Sequence, residues 1–119
     1  MKFGETIYYC KAIRDEEGNL TGYEDPKPII LRPRYFSLMP TSGYSEIVVY
    51  GRDIKVNYTA YALYSAWGDT FKEGDKFYVD GHKPTAEEDE PGDKANAEID
   101  NVRYDNFYVK LIIKKLAVV

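Results

Sequence analysis

Apolar residues recur at every second position through much of this chain, which is the period of a strand with one buried face. Thr6 to Arg14 is apolar and tyrosine-rich and predicts a first strand, ending in the polar stretch Asp15, Glu16, Glu17, Gly18, Asn19. A flexible loop is expected from there to about Pro28. Ile29 to Met39 predicts a second extended run. Pro33 lies inside it and cannot donate to a ladder, so this strand belongs at an edge or carries a bulge.

Pro40, Thr41, Ser42 and Gly43 form a turn by composition, and Tyr44 to Tyr50 can be read two ways. Ser42 or Thr41 would cap a short helix with Glu46 in its first turn, whereas the β-branched Ile47, Val48 and Val49 favour a strand. The clearest strand is Ile54 to Tyr64, with Ile54, Val56, Tyr58, Ala60 and Ala62 on one face. Lys72 to Asp75 predicts a turn into Lys76 to Val79, and Asp80-Gly81 marks another.

His82 to Asn96 has no periodicity and predicts a long exposed loop, a length that is usually functional or mobile. The chain closes with an expected hairpin, Ala97 to Tyr104 and Phe107 to Leu116 about Asp105-Asn106. Ala97 and Ile99 are out of phase with Val102 and Tyr104, which places a bulge near Asn101. The expected fold is mainly β. It is a single domain over residues 1–119, built as a small, partly open β-barrel or sandwich of about six strands with long loops near 15–28 and 82–96 and at most one short helix.

Composition narrows the function without naming it. Of 119 residues, 44% are hydrophobic and 30% charged, enough apolar content for a core. Sixteen Lys and Arg against 20 Asp and Glu give a net charge of −4, which argues against binding nucleic acid through overall positive charge. One Cys and one His leave no internal disulfide, no His/Cys zinc site and no redundancy for a Ser-His-Asp triad. No apolar run approaches the roughly 18 residues of a membrane span, and the first residues lack the form of a signal peptide. A soluble intracellular protein is expected, with no metal, no cofactor and no membrane partner.

Individual residues add little chemistry. His82 stands in a turn with no sequence-evident partner and reads as a loop histidine. Cys10 lies in an apolar strand and reads as an inert buried thiol. Glu87, Glu88, Asp89 and Glu90 have the charge for a divalent cation but not the ligand spacing or central glycine of a calcium loop. They read as a solvated segment able to repel a polyanion or dock on a basic partner. Arg103, Lys110, Lys114 and Lys115 make the last hairpin locally basic, and the expected reason is protection of an edge strand. The 12 tyrosines are more than so small an interior hides, and tyrosine favours contact surfaces, so the chain reads as an assembly part.

The order of these features resembles the phage head–tail joining proteins, the head-closure or stopper proteins of tailed-phage necks. The resemblance rests on a first strand with its Asp15–Gly18 loop and on the turn Pro40, Thr41, Ser42, Gly43, Tyr44, Ser45, Glu46. It continues through the alternating strand Ile54 to Tyr64 and the step Gly74, Asp75, Lys76, Phe77, Tyr78. It ends with a hairpin holding Ile99, Val102, Asn106 and Leu111. The loop Lys83 to Ala95 is longer and more acidic than that family needs. The resemblance implies a structural virion protein without an active site, assembled as a homo-oligomeric ring. That ring would sit between portal or adaptor and tail or tail-terminator, close to packaged double-stranded DNA, in the virion neck and before assembly in the host cytoplasm. Tail-side joining and adaptor roles in the same neck are alternatives. From another class come a monomeric β-barrel ligand- or peptide-binding module and a small enzyme using Tyr, Glu or Asp in a barrel mouth. Tyr44, Glu46, Tyr50, Glu87, Glu88, Asp89 and Glu90 are the expected interface residues, and excision of Pro84 to Asp93 is expected to leave the domain folded.

Overall fold

The computed structural model describes residues 3–40 and 57–116. Among these, the chain forms β1 (Thr6–Cys10), β2 (Ala12–Arg14), β3 (Leu20–Tyr23), β4 (Lys27–Ile30) and β5 (Phe36–Pro40). It continues with β6 (Asn57–Leu63), one helical turn α1 (Tyr64–Trp67), β7 (Lys76–Tyr78), β8 (Ala97–Tyr104) and β9 (Tyr108–Lys115). The fold is mainly β: a curled, half-barrel sheet in the order β4-β1-β7-β8-β9-β6-β5, wholly antiparallel, with a separate β2-β3 ribbon.

The two edge strands are neighbours in the chain. Between them Arg32 and Phe36 exchange backbone hydrogen bonds of 3.1 and 3.2 Å across a tight turn that holds Pro33, so one corner draws the sheet's ends together. Proline suits that turn because its φ is pre-set and it has no N–H to satisfy. The expected single strand Ile29 to Met39 is therefore two strands joined by this corner.

Inward side chains explain the curl. β6 points Tyr58, Ala60 and Ala62 into the core. The alanines lie opposite Leu38 and Phe36 on β5 and opposite Leu111 and Val109 on β9. Small residues between large ones let Phe36, Phe71 and Phe77 share one aromatic cluster, with ring centroids 5.6 to 6.0 Å apart. Each fully buried Leu, Ile or Phe here contributes about 1.5–3 kcal/mol. The buried alternation expected for this strand holds from Tyr58 onward; Ile54 and Val56 lie outside the described residues.

Three other expectations change. The strand expected over Thr6 to Arg14 breaks at Lys11, because the Ala12 N–H turns to the Asp75 carboxylate (2.9 Å) instead of continuing a ladder. Much of the loop expected to Pro28 is ordered as β3 and the start of β4. Only Asp15 to Asn19 makes the turn, and the Asp15 carboxylate accepts the Glu17 and Asn19 N–H groups at 2.9 and 2.8 Å. β9 is no edge strand: it lies between β8 and β6, so its lysines do not protect an edge. The closing hairpin and its bulge are as expected, with the ladder slipping between Ile99 and Asn101. Its connection is centred one residue later, on Asn106-Phe107, since the Asp105 N–H donates to the Tyr108 carbonyl (3.0 Å).

Candidate functional site

Two interior polar centres fix the elements around which any surface is built. The first is Asp75, 1% exposed, in the turn before β7. Its Oδ1 accepts the Ala12 N–H, and its Oδ2 accepts the Lys72 N–H (3.0 Å) and the Tyr9 hydroxyl. Its own peptide extends the β7–β8 ladder, with the Ile99 N–H donating to the Asp75 carbonyl (2.8 Å). Burial, reinforced by the adjacent carboxylate of Asp75, pushes the Tyr9 phenol well above its ordinary value.

The second centre lies on the outer face of the same strands. Tyr8, Cys10, Tyr23, Tyr78 and Ala95 form a small second core beneath the segment His82 to Asn96. Glu88 reaches in to accept the Tyr78 hydroxyl and the Thr85 and Lys94 N–H groups, the last two at 2.7 and 2.8 Å. His82 stacks on the Tyr78 ring with centroids 5.8 Å apart, and its Nε2 donates to the Lys94 carbonyl (2.9 Å). Asn96 clasps Val79 with both ends of its amide, at 2.8 and 2.9 Å. Burial pushes the Cys10 thiol up to about 12, consistent with an inert residue.

This arrangement divides the expected interface residues. Glu87, Asp89 and Glu90 are exposed, while Glu88 is half-buried and satisfied from within. The acidic loop is thus not a free appendage, and excising Pro84 to Asp93 would remove the partner of Tyr78 and uncover the second core. Tyr44, Glu46 and Tyr50 lie outside the described residues. Periodicity could not find Glu88, because its role is set by three donors distant in pattern from it.

Three exposed aromatic residues come together at the end of the sheet that carries the last hairpin. Phe107 is 71% exposed, Tyr104 48% and Tyr64 43%. The Tyr64 and Tyr104 rings meet edge to face at 6.2 Å, and the Tyr64 N–H donates to the Phe107 carbonyl (2.8 Å). α1 adds Trp67, whose indole N–H donates to the Tyr35 carbonyl (3.1 Å) and whose ring lies 5.2 Å from that of Tyr35.

Trp67 also walls a cleft of about 290 Å³ that runs to Tyr9, Ile29 and Thr70, with Lys11, Lys27, Glu24 and Asp25 at its rim. Lys11 is held there by its Nζ donating to the Thr70 carbonyl (2.6 Å). Ligand pockets generally measure about 300–1,000 Å³, so this cleft has room for one side chain or a small ring. Sequence patterning does not reveal it, because its walls come from β1, β4 and the segment after α1. The lone Trp67 was its one available signal.

Among the described residues, no group of three His, Cys, Asp or Glu is placed to hold a metal ion. None of their helices is long and apolar enough to cross a membrane. Compared with protein-family models, with curated proteins and with solved structures, the chain matches none.

Proposed function

We propose that this chain is a structural assembly protein of the tailed-phage neck, forming a ring between portal or adaptor and tail that closes the head. The observation that carries the reading is the exposed aromatic group of Tyr64, Tyr104 and Phe107, held together where α1 begins and the β8–β9 turn closes. Aromatic groups held rigidly at a surface bury large area with little further loss of side-chain freedom. The buried phenols of Tyr9, Tyr58 and Tyr78 are each tied to a carboxylate of the chain, of Asp75, Asp80 and Glu88, which gives these rings a fixed structural role. The net charge of −4 suits a wall that confines DNA without adhering to it.

Imaging of particles made without this gene tests the reading. DNA-filled heads that leak or fail to join tails are the expected result, and normal virions overturn it. A second reading, a monomeric binding module, is favoured by the Trp67–Tyr9 cleft. A Trp67→Ala variant that lost ligand or peptide binding while particles assembled normally would select that reading.

A further inference from the structure

The outer face of the sheet carries an unbalanced charge pair. Register sets Arg103 of β8 directly opposite Lys110 of β9, and Lys110 opposite Tyr61 of β6. Like charges directly opposite one another on a sheet destabilise it. A neighbouring carboxylate ordinarily relieves that repulsion, as Glu98 does for Lys114 at 3.2 Å on the same strand pair. Among the described residues, neither Arg103 nor Lys110 has such a partner. Around them the face is half-apolar: Tyr61 meets Tyr108 edge to face at 6.4 Å, and Ile112 is half-buried.

The complementary charge is on the same chain but at a distance along the strands. Glu87, Asp89, Glu90 and Asp93 are exposed on the segment that covers β1 and β7, and β7 pairs with β8 only at Ala97 and Glu98, whereas Arg103 and Lys110 stand at the hairpin end of β8 and β9. None of these four carboxylates is in an ion pair among the described residues. The segment is already pinned by Glu88, His82 and Asn96, so little ordering is lost when it meets a partner.

We infer that the Arg103–Lys110–Tyr61 face receives the acidic loop of a second copy of this chain, in a head-to-tail contact. Because the two patches are separate surfaces, each copy engages two different neighbours, the head-to-tail arrangement that gives a ring where its rotation closes. The inference rests on the proposed ring assembly and names the surfaces that make it.

The test uses full-length protein with a nitroxide label on an Asp93→Cys variant, where the buried Cys10 stays unlabelled. It is mixed at millimolar concentration with unlabelled, isotope-enriched protein. The expected result is intermolecular broadening at the amides of Tyr61, Arg103, Tyr108 and Lys110. That broadening is lost with R103E/K110E in the enriched copy and returns when the labelled copy carries E87K/E90K. Amide spectra of each variant establish that it is folded before mixing. Broadening that is absent, or confined to other surfaces, overturns the inference even if imaging places the protein in the neck. Broadening on this face with normal virions after gene loss leaves the contact standing and removes the neck reading.

Discussion

Asp75 is an ionisable residue taken almost wholly out of water, and its acceptor positions are filled by Ala12, Lys72 and Tyr9. Such a group joins elements that the sheet ladder leaves separate: the β1–β2 break, the turn before β7 and the aromatic core. Asp75→Ala leaves the part-buried N–H groups of Ala12 and Lys72 without their acceptor and the Tyr9 hydroxyl with only the Thr70 carbonyl (3.2 Å), and about 2–3 kcal/mol of stability is expected to be lost. Tyr9→Phe removes the hydroxyl that is shared between Asp75 and, at 3.2 Å, the Thr70 carbonyl, and should cost about 1–2 kcal/mol. Because the two side chains share one bond, the double variant should cost less than the sum of the single ones. Urea unfolding of the four proteins measures this coupling, and strict additivity would show that Tyr9 and Asp75 act independently.

At the scale of elements, the segment His82 to Asn96 behaves as a strap across the second core. Gly92 lets the strap turn, because its φ of 80° lies in the left-handed region that favours glycine. Burial works to raise the Glu88 carboxyl, but hydrogen bonds from Tyr78, Thr85 and Lys94 outweigh it and hold the group below its ordinary value of 4.5. A depressed carboxyl contributes stability that is complete above the unfolded value and disappears as pH falls through the folded one. Glu88→Gln should therefore cost about 1 kcal/mol at neutral pH, a modest figure because solvent partly reaches the group. The two proteins should converge in stability as pH falls below 4.5 and through the lower value of the folded carboxyl, where both carry an uncharged side chain. Unfolding midpoints across that range provide the comparison.

The same strap marks the limit of what the sequence makes legible. Period-two runs reveal β6, β8 and β9, and even the bulge expected near Asn101 and found between Ile99 and Asn101, because alternation is a local property of a strand with one buried face. Composition cannot separate Glu88 from Glu87 or Glu90, since its inward turn depends on Tyr78 ten residues earlier in the chain. The cleft beside Trp67 is likewise a product of distant segments meeting. Long-range contact decides Glu88 and the cleft, and a local window does not contain it.

For the whole molecule, the tyrosine surplus divides between a buried structural set and a surface set, and alkaline titration separates the two. Tyr9, Tyr58 and Tyr78 are raised by burial first, and then by their bonds to Asp75, Asp80 and Glu88. A phenol with a raised folded value contributes stability that is complete below the unfolded value of about 10 and lost as pH rises beyond it. These three carboxylates hold phenols from β1, β6 and β7, so the effect is spread around the sheet and should be felt as a global loss of stability above about pH 10. Absorbance at 295 nm should show at least three of the 12 phenols un-ionised at about pH 11 in the folded protein, and all of them titrating in denaturant. Tyr78→Phe should reduce the late-titrating set by one. Complete ionisation at that pH with the fold intact would mean that these hydroxyls are open to solvent, and the division of tyrosines between scaffold and contact surface would fall with it.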